Sequence, residues 1–171
     1  KGLELLLDAF AVVRGKRNDV ALVIAGDGEQ GYVNELRVKG EEPGANKRSE
    51  ARGQRPEVRD QRSERRPNSD LPSPISGLRS QDSVIWTGYL SGEMKAAALA
   101  VADVFVLPSA SENFGIAAAE SLAAGVPVVA SDRGALPEVL GDAGLLVSPD
   151  DPEELAAALH RVVTDAPLAA M

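Results

Sequence analysis

The 171-residue chain has no cysteine, which excludes a disulfide framework, a thiolate metal site and a cysteine nucleophile. Its single histidine, His160, excludes a histidine-rich metal cluster. No apolar run approaches the roughly 20 residues that a bilayer span needs. The sequence does not open on a basic region followed by a hydrophobic stretch, so it reads as soluble and cytoplasmic. Positive charge is also scarce: 18 Lys+Arg stand against 26 Asp+Glu, a net charge of −8 that argues against nucleic acid as a partner.

What is present, 44% hydrophobic and 26% charged residues, suffices for one domain with a real core and not for two full-sized ones. The charge is unevenly spread. Residues 41–82 hold 9 basic and 8 acidic side chains but only six apolar ones. Within them the chain nearly repeats every seven residues, as in Ser49-Glu50-Ala51-Arg52-Gly53-Gln54-Arg55 followed by Pro56-Glu57-Val58-Arg59-Asp60-Gln61-Arg62. A heptad invites a coiled coil, but the apolar a and d positions are missing. Five prolines and little apolar surface cannot offset the entropy of ordering, so 41–82 is expected to be a low-complexity, disordered insert. A basic nucleic-acid arm is the sharper alternative; a local charge of +1 and the lack of any aromatic residue weigh against it.

The flanking parts, 1–40 and 83–171, alternate helical and strand patterns. Leu3, Leu6, Leu7, Phe10 and Val13 fall at helical spacing, and the apolar run 20–25 then stops at Gly26-Asp27-Gly28. After the insert come a strand over 84–86, a helix over 93–101 with Ser91 as N-cap, and a strand over 104–107. A helix over 115–124, a strand over 126–130, a short helix over 137–140 and a strand over 145–147 follow. The last helix starts on Asp151, Glu153 and Glu154 and ends on His160 and Arg161, the order the helix dipole favours. Continuous apolar strands alternating with helices imply an α/β, Rossmann-like doubly wound parallel sheet covered on both faces. Ligands of such sheets bind outside the carboxyl ends of the strands, which directs attention to loops 26–30, 87–91, 108–115 and 131–136.

The richest of these is Pro108-Ser109-Ala110-Ser111-Glu112-Asn113-Phe114-Gly115. It leads into a helix whose first amides and positive dipole end favour an anion, most simply a phosphate. Glu120 lies just over one turn inside that helix and leans back toward its start, so two carboxylates and an amide cradle share one region. Ionised carboxylates suit hydroxyl-rich ligands such as a sugar or ribose. Read alone, Glu112 could equally cap the helix, and Glu120 could be an ordinary, partly exposed helix residue.

Glu112, seven residues, then Glu120, with Phe114-Gly115 between them and Ala123-Ala124-Gly125-Val126-Pro127-Val128-Val129-Ala130-Ser131 after, closely resembles the donor-binding half of GT-B glycosyltransferases. The specific resemblance is to glycosyltransferase family 4 (group 1). It extends to Lys1-Gly2-Leu3-Glu4-Leu5-Leu6, Val23-Ile24-Ala25-Gly26-Asp27-Gly28, Val84-Ile85-Trp86-Thr87-Gly88-Tyr89-Leu90 and Gly134-Ala135-Leu136-Pro137-Glu138-Val139, essentially everything outside the insert.

The resemblance implies that Glu120 binds the ribose hydroxyls of a nucleotide-diphospho-sugar and that Glu112 contacts the transferred sugar, with Asn113 in a weaker role near it. It places the diphosphate on the amides of Phe114, Gly115 and Ile116, and has Lys1 neutralise the leaving diphosphate. Gly26, Gly28, Gly88 and Tyr89 would line the nucleoside side, though each glycine could equally meet a turn requirement. Gly134 would touch the ligand at the edge of the site. The implied reaction transfers a sugar to an acceptor hydroxyl with retention, needing no cofactor and no metal. A GT-B enzyme has two such domains, and the resemblance covers the C-terminal one. The acceptor (a glycan, lipid or small molecule) is therefore expected on an N-terminal domain, along with any peripheral membrane association. The lysine's arginine partner and the first strand of this domain are expected upstream of Lys1, and the 171 residues alone are expected to be inactive. The alternative is a non-catalytic nucleotide-binding or interaction module. An oxidoreductase dinucleotide site fits poorly, because Gly26-Asp27-Gly28-Glu29-Gln30-Gly31 is not a Gly-x-Gly-x-x-Gly turn.

Overall fold

The computed structural model describes residues 2–41 and 83–165. Eleven elements follow in order among them: α1 (Leu3–Lys16), β1 (Leu22–Ala25), α2 (Gln30–Glu41), β2 (Val84–Gly88), α3 (Gly92–Ala100), β3 (Phe105–Leu107), α4 (Ile116–Ala123), β4 (Val128–Ser131), α5 (Leu136–Leu140), β5 (Gly144–Val147) and α6 (Pro152–Thr164). The insert expected over 41–82 begins on the last residue of α2, and 42–82 lie outside the described residues.

All strand pairing is parallel. β3, β4 and β5 form one ladder, with Val128 of β4 opposite both Phe105 and Gly144. β1 and β2 form a second, from Leu22 opposite Val84 to Ala25 opposite Gly88. The single sheet expected from the sequence is thus two hydrogen-bonded ladders among the described residues, because β1 and β3 do not pair with each other.

The alternation of side chains along β4 decides the layers. Val129, with Val147 of β5, packs beneath α1 and α6 against Leu6, Ala9, Val13, Leu155 and Leu159. Val128 and Ala130 face the other way, onto Ala118 of α4 and Leu136 and Leu140 of α5. Both faces of this ladder are covered, as the continuous apolar strands imply, and all four residues of β4 are buried. The β1–β2 ladder has its own core of Ile24, Leu7 from α1 and Leu36 from α2. α1 therefore serves both cores.

Several boundaries differ from expectation, for local reasons. Val126 starts no strand: its N–H donates to the Ser121 carbonyl at 2.9 Å, finishing the end of α4, and Pro127 has no N–H for a ladder. Val20 likewise starts no strand, its carbonyl held by the Arg14 guanidinium at 3.2 Å, and pairing begins where the Leu22 N–H donates to Ser83. Ser91 precedes α3 as expected, but its side chain makes no capping bond. Asp151 does cap: Oδ1 accepts from the N–H groups of Glu153 at 2.9 Å and Glu154 at 3.0 Å. Beyond the end of α1, the Arg17 guanidinium donates to both Asp19 oxygens and to the Val163 carbonyl at 2.9 Å, linking α1 to α6. The hydrogen bond from Arg17 holds the Asp19 carboxyl down to about 2. Among the described residues, no helix is long and apolar enough to cross a membrane.

Candidate functional site

The loop between β3 and α4 is fixed from several sides. Pro108 and Ser109 are buried directly after β3. The Ser109 hydroxyl donates to the Ser111 carbonyl at 2.9 Å, and the Ser131 hydroxyl, from the end of β4, donates to the Ser109 carbonyl. Backbone packs on backbone at two further points. Gly2, ahead of α1, lies so close to Pro108 that a Cβ there would stand 1.7 Å from the Pro108 carbonyl oxygen. Gly134, after β4, would place a Cβ 2.1 Å from the Glu112 carbonyl oxygen, and the neighbouring Ala135 N–H donates to that oxygen at 3.2 Å.

The resemblance expects Gly134 at a ligand edge, and the structure packs it against the protein's own backbone. With φ at +60° and no room for a side chain, it lets the Glu112 backbone settle against the loop after β4.

The loop ends at Gly115, which caps α4 in a left-handed conformation. The carbonyl of Gly115 accepts from Ala118 and Ala119, but the N–H groups of Ile116 and Ala117 have no backbone acceptor among the described residues. Two donors and the positive end of the helix are therefore free for an anion. Asn113, Phe114 and Ile116 flank this point and are exposed, Phe114 to 58% and Ile116 to 65%, while Glu112 is half-buried beside Gly115.

Glu120 lies one turn further on. Its Oε1 accepts from Lys95 Nζ of α3 at 2.6 Å, with the two side chains 37% and 42% exposed. α3 directly follows β2, whose last residue Gly88 accepts from the Gly26 N–H at 2.8 Å. The expected residues thus form two groups: Glu112, Gly115 and Gly134 around one loop, and Gly26 with Gly88 at the end of the other ladder. Gly28 and Tyr89 are exposed beside the second group. Lys95 and Glu120 bridge from one to the other. Lys1 lies outside the described residues.

Sequence reasoning does not single out Lys95, Ser109 or Ser131. Each acts through a partner distant in sequence or through a backbone carbonyl, for which no local motif exists. A cavity of about 240 Å³ lies at the ends of β4 and β5, lined by Asp132, Arg133, Ser148 and Glu154 among others, and includes none of the expected site residues. Among the described residues, no cluster of three or more His, Asp or Glu could hold a metal ion.

Known proteins share this chain's sequence family and fold. Residues 61–165, more than half of the chain, match the family described as Glycosyl transferases group 1. The MMP alpha-(1->4)-mannosyltransferase of Mycolicibacterium hassiacum is 44% identical over 100 residues, covering 57% of this chain and 24% of that protein. Among solved structures, the C-terminal domain of the group 1 family protein LpcC from Francisella tularensis superposes with a TM-score of 0.69 at 22% identity, covering 99% of this chain and 72% of that one. HepE of Anabaena, solved in complex with UDP-glucose, gives 0.67 at 24% identity over 97% of this chain and 36% of its own. The chain thus spans about a quarter of the mannosyltransferase it matches, and the two structures share its fold.

Proposed function

The chain belongs to the group 1 glycosyltransferases, and on that premise we propose that it is the donor-binding domain of a retaining enzyme that moves a sugar from a nucleoside diphosphate to an acceptor hydroxyl. The observation that carries this reading is the fixed loop into α4, in which the amides of Ile116 and Ala117, without a backbone acceptor among the described residues, lie between Glu112 and Glu120 along the chain. The amides of Phe114, Gly115 and Ile116 receive the diphosphate; Glu120 accepts the ribose hydroxyls; Glu112 and Asn113 meet the sugar. Gly26, Gly28, Gly88 and Tyr89 border the nucleoside.

In the reaction, the bond from the anomeric carbon to the phosphate oxygen breaks, the acceptor oxygen bonds that carbon, and the acceptor proton leaves. Negative charge grows on the departing diphosphate. Lys1, the covalent neighbour of Gly2, and the start of α4 neutralise it, with no metal required. The acceptor is held by parts of a longer enzyme, so these 171 residues bind donor without turning it over. That HepE was solved with UDP-glucose makes uridine donors the first to try.

Calorimetry with UDP- and GDP-sugars on the wild type and Glu120→Ala tests the reading. Binding weakened by tenfold or more is expected, in line with the roughly 1.5–3 kcal/mol of a hydrogen bond to a charged group. Equal affinities would overturn the ribose role, and robust sugar transfer by the chain alone would overturn the division of labour.

A further inference from the structure

We infer that Lys95 is a positioning residue for the donor site, selecting the orientation in which Glu120 meets the ribose diol; this rests on the ribose role proposed for Glu120. A glutamate on a solvent-facing helix has three side-chain torsions to fix and gains little from doing so alone. The 2.6 Å contact from Lys95 Nζ occupies Oε1 and leaves Oε2 without a partner from Lys95. A carboxylate offers about four acceptor sites, and an ammonium group can only donate, so the pair presents a set of aimed acceptors to a neighbouring diol and no competing one.

The location adds a second line of support. α3 buries none of its residues and, among the described residues, has no extensive packing on any other element. The Lys95–Glu120 bond ties it to α4. Because α3 continues from β2 and the Gly26–Gly88 contact, the same bond links the nucleoside-side loop to the carboxylate that takes the ribose. A half-exposed ion pair contributes little to stability. Its effect falls on where Glu120 points.

The test compares UDP with 2′-deoxy-UDP, which lacks one hydroxyl of the diol, by calorimetry on the full chain. The wild type is expected to prefer UDP by about tenfold. Lys95→Met reduces that preference to within about threefold and leaves the affinity for 2′-deoxy-UDP unchanged, and Lys95→Arg retains most of it. The double variant Lys95→Met with Glu120→Gln is no worse than Glu120→Gln alone. Full preference in Lys95→Met, with Glu120→Gln abolishing it, overturns the role of Lys95 and leaves the ribose role standing. Full preference in Glu120→Gln, or none in the wild type, overturns the ribose role itself and the inference with it. Equal loss of both ligands in Lys95→Met, or a thermal midpoint that falls in parallel in both Lys95 variants, shows a merely structural part and also overturns the inference.

Discussion

Replacing Gly134 by alanine probes how the loop before α4 is held. At φ +60° an L-residue costs about 1–2 kcal/mol relative to glycine. The new methyl would also stand 2.1 Å from the Glu112 carbonyl oxygen, 3.0 Å from its carbon and 3.1 Å from its nitrogen. Ordinary C···O contacts lie at about 3.3–3.6 Å, so the two backbones must part by on the order of 1 Å. Such overpacking costs roughly 1–3 kcal/mol, and the total is about 2–5 kcal/mol against a domain stability of about 5–15 kcal/mol. Gly125→Ala is the matched control: φ is +75° there, but nothing lies within 4 Å of the new methyl, so only the backbone cost of about 1–2 kcal/mol remains. Urea unfolding of both variants reads the difference, and UDP titration below the midpoint reads its effect on the site. Gly134→Ala is expected to be the less stable and to bind UDP about tenfold more weakly than Gly125→Ala, about 1.4 kcal/mol, because Glu112 moves with its carbonyl. Equal midpoints and equal affinities would refute the close packing of Gly134 on Glu112 as the origin of the loop's shape.

Two further outcomes concern stability away from the site. Asp151→Ala removes the acceptor for two N–H groups at the start of α6 and should cost about 1 kcal/mol in urea unfolding without altering UDP affinity. Asp19 is held at about 2 against its ordinary 3.8, so its pairing with Arg17 stabilises the fold above pH 3.8 and the contribution is lost as pH falls from there through 2. The stability difference between wild type and Asp19→Asn should accordingly be constant at neutral pH and vanish over that acid window; a difference that ignores pH would count against the pairing.

Much of the fold is legible in the sequence because its signals are local. The spacing of Leu6, Phe10 and Val13 sets the buried stripe of α1, and Asp151 before Pro152 announces α6. Boundaries differ where a backbone group has a competing partner. Val126 looks like a strand residue by its side chain, yet its N–H is already committed to Ser121. The loop into α4 is readable from Glu112, Gly115 and Glu120. The packing of Gly134 is hidden because its reason lies in Glu112, twenty-two positions earlier, and glycine looks the same whether it admits a ligand or another backbone. Lys95 is invisible for a similar cause: its partner Glu120 is twenty-five positions away on a different helix.

Between the two ladders, side-chain packing takes the place of strand pairing among the described residues. Adjacent strands in one sheet are fixed about 4.8 Å apart by their hydrogen bonds. No such ruler spans β1 and β3 among the described residues, where Leu3 of α1 and Leu22 of β1 pack against both cores. Among the described residues, the Gly26–Gly88 end and the Glu112 loop are linked by that side-chain packing and by the lysine–glutamate contact. Truncating Leu22 would therefore loosen both cores at once, with every strand pairing left intact.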